Sequence, residues 1–128
     1  MEYSGVVIDT SVFIEFLRAK NKKKTTLFCI SEESQLYISA VTLYELLMGA
    51  TSHEKKHDIQ ILTEDIPVLS FDDAVAKKAA EIYHQLQKSN KIIEFRDIFI
   101  AATALVHALP IKTLNKKHFE RISELTIT

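Results

Sequence analysis

The chain has 128 residues, 47% hydrophobic and 26% charged, which suits one globular domain over residues 1–128 with a core of its own. Its 16 basic and 17 acidic side chains leave a formal net charge of -1, which excludes a protein that coats nucleic acid through bulk charge. No apolar run reaches membrane-span length, MEYSGVVID lacks the basic-then-apolar order of a secretory leader, and one cysteine rules out an internal disulfide; the expected location is the cytoplasm.

In chain order, the first informative stretch is GVVIDTSVFIEFL, residues 5–17. Val6, Val7 and Ile8 have the composition of a strand buried on both faces, and Asp9 ends it. Residues 12–17 read as a helix and the lysine-rich segment to Lys24 as a solvated loop. Residues 25–31 are expected to be helical, with Cys29 a small core residue. A second strand covers 35–38. Ser39 then caps a helix over 41–48, where Val41, Tyr44, Leu47 and Met48 recur at helical spacing. Thr51 to Glu54 matches a capping box and opens another helix carrying Ile59, Leu62 and Ile66. A third strand, 67–70, leads into a second box, Ser70 to Asp73. The helix after it runs to about Lys88, with Ala76, Ala79, Ala80, Tyr83 and Leu86 as its packing residues. An alanine-rich helix spans 96–107 and a fourth strand 110–113. A short helical turn over 117–122 and an extended piece over 125–127 close the chain. Short strands alternating with helices predict an α/β fold of three layers, a parallel sheet of four to five strands with helices on both faces.

Four polar positions interrupt this apolar pattern. Asp9 follows a buried strand directly, where a carboxylate is costly without a partner. Alone it reads first as the N-cap of a strand-to-helix turn, since Asp, Thr and Ser are common caps, and only second as a site residue. Glu45 sits within TLYELLMG, either as a site residue or as a box partner for Thr42. Asp97 opens DIFIAATAL and shares a stripe with Ile100, Ala101 and Ala104, which a solvent-facing cap would not normally do. Asn115, after the fourth strand, reads alone as a turn residue. All four are expected at one end of the sheet, outside the carboxyl ends of its strands. Carboxylates gathered bare would repel and raise one another's pKa, and a divalent cation resolves this. All-oxygen ligands without paired Cys or His suit Mg²⁺ or Mn²⁺.

VVIDTSVFIEFL, ISAVTLYELLMGA, FRDIFIAATALVHALPI and IKTLNKKHFERI, in this order and spacing, resemble the four signature blocks of PIN-domain ribonucleases, above all the toxin members of VapBC-type toxin–antitoxin pairs. The resemblance runs from about Val6 to Ile122. It implies a PIN-like fold and a Mg²⁺- or Mn²⁺-dependent endoribonuclease with Asp9, Glu45 and Asp97 as metal ligands. Thr10 and Ser11 would support the first of these. The fourth acidic position of the family is Asn115 here, which can orient water or substrate but brings no charge. Lys112, Lys116, Lys117 and His118 are the expected substrate-side residues, and Glu94 could reach the rim. The implied partners are an RNA substrate, a cognate antitoxin, a second copy of the chain, and DNA only through the antitoxin. The helices over 41–50 and 52–64 are the expected docking region.

Other functions fit the residues less well. His53 to His57, HEKKH, matches the zinc-protease pattern H-E-x-x-H, but in a lysine-rich first turn without a third ligand nearby. An aspartyl-nucleophile phosphatase would need a second aspartate where Ser11 stands, and a receiver domain would need adjacent acids at the first strand. A PIN fold acting only as a protein-binding module is the remaining alternative, against which the three retained carboxylates argue.

Overall fold

A computed structural model of the chain describes residues 5–128. Within them the elements alternate as β1 (Gly5–Ile8), α1 (Thr10–Arg18), β2 (Gln35–Ser39), α2 (Ala40–Gly49), α3 (His53–Thr63), β3 (Val68–Leu69), α4 (Asp73–Lys88), α5 (Phe95–Val106), β4 (Ile111–Lys112) and α6 (Lys116–Phe119). Four parallel strands pair in the order β3-β2-β1-β4, and Ile127 adds a parallel bridge to Ile111. The connection after β1 therefore leads to one side of the sheet and the chain after β4 to the other. That reversal opens a crevice between the carboxyl ends of β1 and β4.

The pleat of β1 sorts its run of β-branched residues into two cores. Val6 and Ile8 pack with Val12, Phe13, Ile38, Leu46 and Ile59 beneath α1, α2 and α3. Val7 faces the opposite way and joins Ile111, Phe119 and the buried faces of α4 and α5. Burial on both faces explains why β1 shows no alternation of polarity. Gly5 is a close-approach position, because an added Cβ would lie 2.7 Å from the Tyr37 ring.

Several local expectations change. Residues 25–30 form turns rather than a helix, and the three-residue 3₁₀ turn Lys22–Lys24 precedes them. The local bonds go elsewhere: Thr25 Oγ1 donates to the Lys22 carbonyl, and the Lys22 ammonium donates to the carbonyls of Phe16, Leu17 and Ala19. Without a helical face to share with Leu27, Cys29 turns outward and is exposed. The capping boxes are displaced. Ser52 rather than Thr51 caps α3 by accepting from the Lys55 N–H, and Asp72 rather than Ser70 caps α4 by accepting from that of Val75. The buried stripe of α4 is Val75, Ala79, Ile82 and Leu86, so Ala76, Ala80 and Tyr83 face solvent. Ser39 does cap α2 as expected, accepting from the Thr42 N–H.

Candidate active site

Asp9 lies at the carboxyl end of β1, 2% exposed, and its main-chain N–H continues the ladder to the Lys112 carbonyl at 2.9 Å. Although it occupies the N-cap position of α1, its side chain does not cap the helix. Oδ2 instead accepts from Ser11 Oγ at 2.6 Å and from Thr113 Oγ1 at 2.8 Å. Thr10 and Ser11 are helical residues rather than caps. Ser11 Oγ also accepts from the Leu114 N–H, and Thr113 Oγ1 from that of Asn115. Two hydroxyls thus tie the turn after β1 to the loop after β4 and compensate a buried charge with charge-assisted hydrogen bonds.

Glu45, on α2, is not a box partner for Thr42. Its Oε1 accepts from Thr10 Oγ1 at 2.8 Å, and its Oε2 pairs with Arg96 Nη1 at 3.1 Å. Arg96 reaches Glu94 Oε2 with its other terminal nitrogen at 2.7 Å. Asp97, in the first turn of α5, has His118 Nδ1 3.0 Å from its Oδ2. Burial pushes the Asp97 carboxyl above its ordinary range, the bond from His118 pulls it down, and the negative charge of Asp9 pushes it up again. Ile100, Ala101 and Ala104 are all buried, so the stripe that carries Asp97 is the packing face of α5.

Asp9, Thr10, Ser11, Glu45, Asp97, Asn115 and His118 line one cleft of about 260 Å³, together with Ile14, Glu94 and Arg96. The structure therefore brings the four predicted acidic and amide positions together. It leaves Lys116 and Lys117 on an adjoining exposed pocket with Asn115 and His118, and Lys112 outside both. His53 and His57 are exposed on α3. Thr113 and Arg96 escaped sequence reasoning. A hydroxyl directly after β4 and a cation immediately before Asp97 were the available signals. As the side chains stand, no three His, Cys, Asp or Glu among the described residues close on one point as a bound ion requires. Glu45 is engaged by Arg96 and Asp97 by His118. The donor set of carboxylate, hydroxyl and amide oxygens nevertheless fits a hard divalent cation, and the repulsion between Asp9 and Asp97 is what such an ion relieves.

A parallel sheet with an acidic crevice outside its carboxyl edge is the architecture of a PIN domain. The PIN domain family model matches residues 6–125, and the chain belongs to that family. Within it, the chain is similar to Ribonuclease VapC1 of Methanocaldococcus jannaschii, 33% identical over 123 residues that cover 96% of this chain and 85% of the relative. Among solved structures it is similar to VapBC-1 from nontypeable Haemophilus influenzae, with 26% identity, a TM-score of 0.83 and coverage of 97% of this chain and 96% of that one. It is also similar to the DNA-bound VapBC from Salmonella typhimurium, with 25% identity, a TM-score of 0.81 and 98% of both chains covered.

Proposed function

We infer that the chain is an endoribonuclease, the toxin of a VapBC-type toxin–antitoxin pair, and that it hydrolyses RNA phosphodiesters with Mg²⁺ or Mn²⁺. The observation that carries this reading is the convergence of Asp9, Glu45 and Asp97, from three separate elements, on one cleft. These three side chains would hold the ion, which when bound supplies Lewis acidity toward the phosphate and lowers the pKa of water. The protein's own residues do the positioning. Ser11 and Thr113 fix the orientation of the Asp9 carboxylate, and His118 fixes that of Asp97. Asn115 offers an uncharged amide to water or substrate, and Lys116 and Lys117 supply phosphate contacts beside the cleft, whereas Lys112 lines a separate pocket with Gly5 and Thr25 and takes no part. Water adds to phosphorus, the bond from phosphorus to the 3′ oxygen breaks, and that oxygen takes the proton, leaving 3′-hydroxyl and 5′-phosphate ends.

The antitoxin would dock along α1, α2 and α3, where Ile14, Leu17, Leu46, Ala50 and Ile59 line a groove of about 520 Å³ rimmed by Arg18, Lys55 and Asp58. DNA enters only through that partner. A second copy of the chain accords with the exposed Tyr44 and Met48 on α2 and Phe95 at the start of α5. The whole of residues 1–128 forms one PIN domain in this reading, and no described helix is long and apolar enough to cross a membrane. The purified chain is expected to cleave RNA with Mg²⁺ or Mn²⁺, to stop with EDTA, and to leave 5′-phosphate ends that support ligation. Cleavage undiminished by chelation would overturn the reading. A chain that captures its antitoxin yet cleaves no RNA under any metal condition would be a binding module instead.

A further inference from the structure

Arg96 brings a fixed positive charge into the acidic cleft, and its geometry is that of a bridge. Nη1 lies 3.1 Å from Glu45 Oε2 and Nη2 lies 2.7 Å from Glu94 Oε2. The side chains become more exposed outward, from 13% at Glu45 through 43% at Arg96 to 62% at Glu94. The guanidinium therefore spans from the interior of the site to its rim. Because Thr10 takes Oε1, both oxygens of Glu45 have a partner already. Four carboxylates, Asp9, Glu45, Glu94 and Asp97, line the cleft, yet among the described residues no three of them form a ready nest for an ion.

We propose that Arg96 is a positioning residue that competes with the divalent cation for Glu45. It neutralises Glu45 while the ion is absent and yields that oxygen when the ion binds. The inference rests on the metal-dependent reading above. Arginine suits the task because its charge is permanent and its planar fork can leave one carboxylate while keeping another. Glu94 anchors the released guanidinium at the mouth of the cleft. There its fork matches the two oxygens of an incoming phosphodiester. Each ligand then favours the other: RNA gives Arg96 a reason to leave Glu45, and the ion frees Arg96 for RNA.

The test is Mn²⁺ affinity measured calorimetrically on the full chain, without RNA, for the parent, Arg96→Ala, Glu45→Gln and the double variant. Arg96→Ala is expected to bind Mn²⁺ roughly three- to fivefold more tightly than the parent, the scale of losing one partly exposed ion pair. That gain should vanish in the Glu45→Gln background, because coupling through a contact requires both partners. Unchanged affinity in Arg96→Ala would overturn the proposal. So would a gain that persists without Glu45, since it would reflect net charge alone. Arg96→Lys, which keeps the charge but cannot bridge both carboxylates, is expected to gain part of the affinity and replaces Arg96→Ala if that variant does not fold. A parent chain that binds no Mn²⁺ would sink the metal-dependent reading itself, an outcome distinct from failure of the competition.

Discussion

At 2% exposure, Asp9 keeps its place in the interior because Ser11 and Thr113 both donate to one of its oxygens. Thr113→Val leaves the volume nearly unchanged and removes one donor. It is expected to lower unfolding free energy by about 1–3 kcal/mol, read from urea denaturation, while Thr113→Ser stays near the parent. Asp97 behaves in the opposite sense. Its carboxyl is raised above the ordinary 3.8, chiefly by burial, so the folded state binds that proton more tightly than the unfolded chain does. Stability is therefore lost as pH rises from the unfolded value through the folded one, and the penalty persists above it. In EDTA, Asp97→Asn should melt higher than the parent at pH 7, and the gap should narrow below about pH 3.8 as both side chains become neutral. Asp9, Glu45 and Asp97 were legible in the sequence because each sets a charge within an apolar pattern. Thr113 and Arg96 were not, because their roles exist only across contacts spanning 104 and 51 residues.

Among the elements, the long, strongly patterned ones were read well and their ends less so. The existence of α4 and α5 follows from apolar periodicity. The phase of α4 was misjudged because alanine is compatible with either face; Val75 and Ile82 fix the buried stripe. The turns at 25–30 were misread because Leu27 and Ile30 stand three residues apart, as on a helical face, yet Thr25 bonds its own hydroxyl back to Lys22. Two helix ends share one solution. After α4, the N–H of Asn90 reaches the Gln87 carbonyl and that of Lys91 the Leu86 carbonyl; after α5, Ala108 and Leu109 repeat the pattern on Leu105 and Ala104. Both turning residues have positive φ, 55° at Asn90 and 54° at Ala108. Asparagine tolerates that region, whereas alanine carries a steric penalty there. Ala108→Gly should therefore stabilise the fold by up to about 1 kcal/mol, the backbone strain removed being partly offset by greater freedom in the unfolded chain. A thermal melt checks it.

For the molecule as a whole, the alternation of short strands and helices made the parallel sheet legible. The strand order was not, since pairing is decided by packing across the whole chain. That order, with β4 beside β1, is what brings the Thr113 hydroxyl to Asp9, and Asn115 and the α6 residue His118 to the same crevice. The folded molecule thus gathers like charges that oppose its own stability and balances them with Ser11, Thr113, His118 and Arg96. A site built for catalysis should separate stability from activity at a single residue. The most direct measurement is RNA cleavage in Mn²⁺ by Asp97→Asn, with its melting temperature recorded on the same preparation. The account predicts a fold at least as stable as the parent and cleavage reduced roughly 10²–10³-fold, the scale of losing one group that stabilises transition-state charge. A folded Asp97→Asn that cleaves RNA as fast as the parent would contradict it.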